Sequence, residues 1–267
     1  MDLGSIIGLV LGFGLILYGN TKEGGHISSL LQATAFLIVM GGTMGACVLQ
    51  FPLKVTIRSL KSLVTVFLTK KVDAHATIAQ IVEFAKRARR EGILALEREL
   101  ETLKDPFFVK SLRMAVDGLE PKQLIDTMEA EQATQEEEHE GPIKFFEACG
   151  GYAPTMGILG AVLGLIHVMN NLADPSKLGS GIATAFVATV YGVGSANLLF
   201  LPFSTKIKYN CKQQAKVHEI ILKGVLLIQE GINHSIIEEQ LKSYLDDKEK
   251  HAYEASRGAD GGGKEKE

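Results

Sequence analysis

Charge is missing from the longest apolar runs of this sequence, and that absence decides its class. The runs from about Tyr152 to Met169 and from Gly181 to Pro202 contain no Asp, Glu, Lys or Arg. Apart from Tyr152 and Tyr191, His167 is their only ionisable side chain. Each run comes near the ~20 residues that carry a helix across a bilayer. Cysteine is scarce too. Cys47, Cys149 and Cys211 show no metal-type spacing, and the first two lie in or beside apolar runs. All three read as reduced small residues, with neither a disulfide framework nor a zinc site. Tryptophan is absent, and a net charge of -3 offers nucleic acid no basic surface. The sequence has no phosphate loop, no nucleophile elbow and no carboxylate pair in its apolar runs. A soluble enzyme finds no support, and no cofactor is called for.

What is present is glycine and a divided composition. With 46% hydrophobic and 22% charged residues, the chain fits neither an ordinary soluble domain nor an all-membrane transporter. Of its 28 glycines, 13 sit in the apolar runs. Leu3 to Tyr18 is a first span, with Gly4, Gly8 and Gly12 at steps of four. A signal peptide would need Lys or Arg before this run and a small-residue cleavage site after it, and neither stands there. His26 to Phe51 is the second span, with Gly41, Gly42, Gly45 and Ala46 as its packing stripe. The third and fourth form a hairpin around the polar turn Asp174-Pro175-Ser176-Lys177.

Orientation follows from Lys and Arg. Lys54, Arg58, Lys61, Lys70 and Lys71 follow the second span, and Lys206, Lys208, Lys212 and Lys216 follow the fourth. The two short turns hold only Lys22 and Lys177. Both termini and the long middle segment therefore face the cytoplasm. The expectation is an all-α membrane protein with four transmembrane helices and a helical cytoplasmic domain between spans two and three. Its parts are the first two spans (1–52), the cytoplasmic domain (53–149), the hairpin (150–204), a cytoplasmic helix (205–245) and a disordered, Gly-rich charged tail (246–267).

The hairpin carries a small and polar face. Ala153, Gly157, Gly160 and Gly164 make one helical stripe, and Gly181, Ala185, Ala188, Gly192 and Ser195 make another. Such stripes let membrane helices approach closely. Beside them stand Thr155, Thr184, Thr189, Tyr191 and Asn197. Two readings are open: hydroxyls bonded back to their own helices, or the border of a polar path. Three prolines fall toward the cytoplasmic boundary. Pro52 ends the second span, Pro202 ends the fourth, and Pro154 has helical sequence on both sides, as a hinge would.

The middle segment is amphipathic. Asp73 to Arg90 separates Ile78, Ile81, Val82 and Ala85 from Lys86, Arg87, Arg89 and Arg90, and Gly92 breaks it. Ile93 to Leu103 follows. Asp105-Pro106 starts one helix and Glu120-Pro121 the last, which Gly141-Pro142 interrupts. The mixed charges around Gly92 suit either a solvated face or a docking surface. Ion conduction needs a group that changes charge, in membranes usually a carboxylate, and the spans hold none. If the chain conducts ions, a partner supplies that group.

The run APTMGILGAVLGLIHVM, followed by GIATAFVATVYGVGSANLLFLP, resembles the MotA/PomA family of flagellar motor stator subunits. RREGILALE, from Arg89 to Glu97, resembles that family's rotor-facing segment. The late spans also suit the wider family that includes the ExbB/TolQ energisers of outer-membrane processes, which usually lack one early span. The resemblance implies a homopentamer around a dimer of a MotB-like subunit in the bacterial inner membrane, in contact with lipid. Ion flow past a MotB-like Asp would turn the pentamer against the rotor protein FliG. On this resemblance Pro154 and Pro202 match the family's hinge prolines, and Thr189 matches a threonine lining the ion site. Arg89 and Glu97, with Arg90 and Glu99 as neighbours, match the rotor-binding charges. The ion pathway is then Pro154, Ala161, Thr189 and Tyr191. Sodium-driven relatives tend to carry Thr at the position of Ala161, and a methyl group cannot coordinate sodium, so the expected ion is H+.

Overall fold

The computed structural model describes residues 2–68, 73–172 and 175–261. Lys70, Lys71, Asp174 and the end of the tail lie outside the described residues. Among the described residues four helices are long and apolar enough to cross a membrane: Leu3–Lys22, Ile27–Gln50, part of Pro121–Asn170 and part of Gly181–Gln229. The chain divides into two compact units, Met1–Lys70 with Glu137–Asn210, and Lys71–Glu136 with Cys211–Glu267. These boundaries differ from the expected ones, because residues on either side of the middle segment pack with the spans.

In the first unit, α1 (Leu3–Lys22) buries none of its residues. Its start is fixed by Asp2, whose carboxylate accepts from the Gly4 N–H at 3.2 Å and from the Ser5 hydroxyl at 2.9 Å. Lys206 forms an ion pair with the same carboxylate and, with Ser5, holds its pKa down to about 2. The second span is not one regular helix. It runs as α2 (Ile27–Leu30), an extended step at Leu31 and Gln32, α3 (Ala33–Phe36), a π-helical turn (Leu37–Gly41) and α4 (Gly42–Gln50). Pro52 then stands between α4 and α5 (Leu53–Phe67), as a residue without an N–H should. α5 sends an Arg58 ion pair to Glu138 at 3.1 Å.

The second unit contains α6 (Ala74–Glu91), a 3₁₀ helix (Ile93–Thr102), α7 (Pro106–Val116) and the first part of α8 (Pro121–Asn170). It also holds most of α10 (Leu201–Gln229), α11 (His234–Lys242) and α12 (Asp247–Gly261). The helix starts are written locally. Asp73, Asp105 and Asn233 each cap an N-terminus by accepting from backbone N–H groups. Gly92, at φ 84°, makes the turn that ends α6, a conformation L side chains rarely adopt. One apolar core joins these elements, with Ile78, Ile81, Leu112, Leu124, Ile220 and Leu241 among its fully buried members. Each such side chain contributes roughly 1.5–3 kcal/mol of burial.

Three expectations need correction. Gly141-Pro142 does not interrupt α8, which continues through Pro142 and Pro154. Pro142 is buried in this packing, and a β-carbon on Gly141 would already press Val55 at 3.1 Å. Pro202 does not end a helix. A π-helical turn at Ala196–Phe200 precedes it, and α10 then runs on to Gln229. The wide turn relaxes the backbone where the proline ring would crowd the preceding carbonyl. Lastly, the tail is not disordered throughout. α12 forms because Tyr253 gives it an apolar anchor, 2% exposed in the core. Lys216 meets Glu249 at 2.7 Å near its start.

His218 is a buried polar residue of this core. Its ring stacks on Phe107 with centroids 4.0 Å apart, and its Nε2 has no hydrogen-bond partner. Desolvation lowers its pKa, against the opposing fields of Asp105, Glu131 and Glu136. The folded state thus prefers the neutral ring, while the unfolded chain takes up a proton near the ordinary histidine value of about 6.5. Stability is complete above that value and drains as pH falls below it. Thermal unfolding followed by circular dichroism should show Tm dropping between pH 7 and pH 5, and His218→Phe should lose less over the same range.

Candidate functional site

The hairpin of α8 and α9 (Pro175–Ser195) is built on backbone contact. A β-carbon on Gly192 would lie 2.5 Å from the Ala153 carbonyl oxygen and 2.9 Å from the Gly157 Cα. One on Gly157 would lie 3.0 Å from the Ala188 carbonyl oxygen. Gly164 meets the Gly181 carbonyl in the same way, at 3.0 Å. Both stripes read from the sequence are buried against one another. The seam is lined by glycine, alanine and serine, with Val168 packed over Gly181, and most bulky residues turn away from it. Ile158, Leu159, Val162, Leu163, Ile166, Phe186, Val190 and Val193 are all exposed in the single chain.

Pro154 and Thr189 come to the same end of this seam. Pro154 follows Ala153, whose carbonyl touches Gly192, and the Thr189 Cα lies 3.3 Å from the Gly157 β-carbon position. Both residues are half-buried, as is Ala161 farther along α8. Pro154 leaves the Gly150 carbonyl without its helical donor. The hydroxyls are bonded back to their helices: Thr189 Oγ1 donates to the Ala185 carbonyl at 3.3 Å, and Thr155 Oγ1 donates to the Tyr152 carbonyl at 2.7 Å. Asn197 Nδ2 likewise donates to the Val193 carbonyl at 3.0 Å.

Tyr191 does something the sequence reading missed. Its hydroxyl donates to the Leu30 carbonyl and accepts from the Gln32 N–H at 3.3 Å. It therefore satisfies both sides of the extended step in span two, with the Phe36 ring edge-on at 6.3 Å. In a bilayer, unpaired backbone groups cost several kcal/mol each, so this hydroxyl supports the break. Its proton and one lone pair are engaged there, which gives Tyr191 a structural role beside the ion-pathway role expected of it. The signal available beforehand was Gln32, a polar residue within an apolar run.

The candidate rotor surface lies in the second unit. Arg89 and Arg90 are exposed in the last turn of α6, where cations suit the helix C-terminus. Glu97 is exposed on the 3₁₀ helix, and Leu94, between them, is 68% exposed. Glu99 is different. It is half-buried and forms an ion pair with Arg87 that ties the 3₁₀ helix to α6. Arg87 is the partner that sequence reading passed over.

Comparison with known proteins identifies this arrangement. The model of the MotA/TolQ/ExbB proton channel family matches residues 99–220, and that of the motility protein A N-terminal region matches residues 6–92. Motility protein A of Bacillus subtilis is 36% identical over 272 residues, covering 100% of this chain and 99% of that protein. The chain belongs to the motility protein A family. Chemotaxis protein PomA of Vibrio alginolyticus is 32% identical, covering 92% of this chain and 96% of that protein. The solved flagellar MotAB stator complex of Bacillus subtilis matches with a TM-score of 0.87 at 36% identity, over 93% of this chain and 98% of that one. The C. jejuni MotAB structure matches at 0.88 and 34%, over 92% of this chain and 97% of that one. This chain is therefore a stator subunit of the flagellar motor, a multi-pass membrane protein of a proton channel family and not an enzyme. The N-terminal match sets it apart from the ExbB and TolQ branches, which share only the wider family.

The seam yields a direct test. Gly192→Ala puts a methyl group against backbone atoms, whereas a β-carbon on Gly194 meets nothing within 4 Å. Gly192→Ala should sharply lower the Tm and membrane yield of the solubilised protein, and Gly194→Ala should leave both near wild type.

Proposed function

We propose that this stator subunit forms a homopentamer around a MotB-like dimer in the bacterial inner membrane and converts ion flow into rotation against the rotor protein FliG. The observation that supports it best is the hairpin's mismatch between shape and chemistry. The seam, Pro154 and Thr189 frame a half-open face, yet no residue in the spans can change charge in the manner of a carboxylate. The relatives solved as MotAB complexes share this fold over nearly the whole chain. A MotB-like carboxylate beside Pro154 supplies the missing group. Protonation of that carboxylate removes a charge from a low-dielectric setting, where charge is costly, and so changes how the hairpin sits against it.

In this reading Pro154 and Pro202 are the hinges. Thr189, Ala161 and Tyr191 border the ion route with Pro154, and Arg89, Arg90, Glu97 and Glu99 meet the rotor. Both termini and the charged middle segment face the cytoplasm, and the outward apolar residues meet lipid or neighbouring subunits. The transported ion is H+, since the Ala161 methyl offers sodium no oxygen.

Two experiments check this. Cells lacking the chain should build filaments that do not rotate. Wild type should restore swimming, and Pro154→Ala should restore less than about a tenth of it, a loss in the range that misplacing a working residue costs. Normal swimming in the deletion strain would overturn the stator reading in that cell. Separately, swimming should persist when sodium is removed with the proton gradient held, and should stop when a protonophore collapses that gradient.

A further inference from the structure

The second span and α8 pack antiparallel in a fixed register. A β-carbon on Gly160 would lie 3.4 Å from Ile38 Cγ2, and one on Gly42 would lie 2.8 Å from Met156 Sδ. Farther down, the Phe51 and Phe145 rings meet edge-on at 5.7 Å. Within this zipper the Cys47 and Cys149 sulfurs stand 3.1 Å apart, and both residues are fully buried. Both are free thiols. A disulfide needs the two sulfurs at about 2.05 Å, which asks them to close by about 1 Å while the contacts above and below hold the helices in register.

We propose that Cys47 and Cys149 are a modification site: a dithiol that hydrogen peroxide closes to a disulfide, locking span two to α8 across the Pro154 region. The chemistry balances. The peroxide transfers one oxygen to the first thiol as its O–O bond breaks, giving a sulfenic acid and water. The second thiol attacks that sulfur, the S–S bond forms, the S–O bond breaks, and a second water leaves with the thiol's proton. Two thiols lose two hydrogens, and the peroxide is the oxidant reduced. The consequence follows from the register: Gly42 to Cys47 lies along Cys149 to Met156, and Pro154 is inside that stretch. A covalent tie there opposes any bending at Pro154. This consequence for motion rests on the stator reading, but the chemistry does not.

The test begins with membranes carrying the wild-type chain in its native assembly. They are treated with hydrogen peroxide, denatured, and tagged with a maleimide of large mass. The untreated chain should take three tags and the oxidised chain one, with a Cys47–Cys149 peptide found by mass spectrometry and three tags regained after dithiothreitol. Three tags retained after treatment that oxidises an exposed control cysteine would overturn the proposal, as would a crosslink through Cys211 or between two chains. In cells, peroxide should slow wild-type swimming several-fold and reversibly, and Cys149→Ala should resist it. Disulfide closure with equal swimming in both strains would overturn the lock. Swimming without oxidant tests the stator reading separately.

Discussion

The contact between the backbones of Gly157 and Gly192 is the constraint on which the membrane unit depends. Lipid tails are as apolar as leucine, so no hydrophobic force drives helices together inside a bilayer. Close van der Waals packing has to do so. With a missing β-carbon at Gly192 only 2.5 Å from the Ala153 carbonyl oxygen, the hairpin helices leave no room for a side chain between them. The two small-residue stripes are thereby committed to one seam, and most large residues are sent outward. Span two then lies over the same seam, with Ala35 and Val39 against Val187 and Ala188 in a small buried cluster. Nothing comparable holds α1, which buries no residue and is pinned by its polar start at Asp2.

Irregular backbone is concentrated around that seam. Pro154 breaks one helical hydrogen bond in α8. The π-turn at Ala196–Phe200 absorbs Pro202, and span two has both an extended step and a π-turn. In water such sites are cheap, whereas in lipid each exposed backbone group costs several kcal/mol. Here the cost is offset from outside the local helix. Tyr191, on the fourth span, supplies the hydroxyl that the step at Leu31 and Gln32 requires. The rigid seam and the loosened helices are thus parts of one design. A hinge can work only if the helix it bends is held elsewhere by contacts that do not yield.

Much of this was legible in the sequence. The four spans, both small-residue stripes and the helix starts at Asp73, Asp105 and Pro121 follow from hydropathy, periodicity and capping rules that act over a few residues. The failures share a cause. Pro142 and Pro202 read locally as helix stops, but packing around α8 and a π-turn ahead of α10 carried both helices through. The tail from Asp246 reads as solvated, yet Tyr253 anchors it in a core made largely by residues far earlier in the chain, with Lys216 pairing Glu249 beside it. Tyr191 reads as one of several polar residues, and its role emerges only from a partner 161 residues away. The cysteines read as inert small residues, because the register that brings Cys47 to Cys149 belongs to two separate spans.

The two units handle charge in opposite ways, and this is where the function lies. In the second unit some charges hold the fold, as Glu99 does with Arg87, while Arg89, Arg90 and Glu97 are left outward beside an exposed leucine. An exposed ion pair contributes at most about 1 kcal/mol, so the unit's apolar core leaves those outward charges free of any stabilising duty. In the spans, charge is excluded. The Thr155 and Thr189 hydroxyls of the hairpin are bonded to their own helices, the Tyr191 hydroxyl is bonded to span two, and the apolar runs hold no carboxylate. In the proposed function the hairpin responds to a charge that appears and disappears on another chain. Placing the titrating group on a partner separates the chemistry from the moving part, so the motion of the hairpin can be tuned through glycine and proline without altering the group that binds the ion.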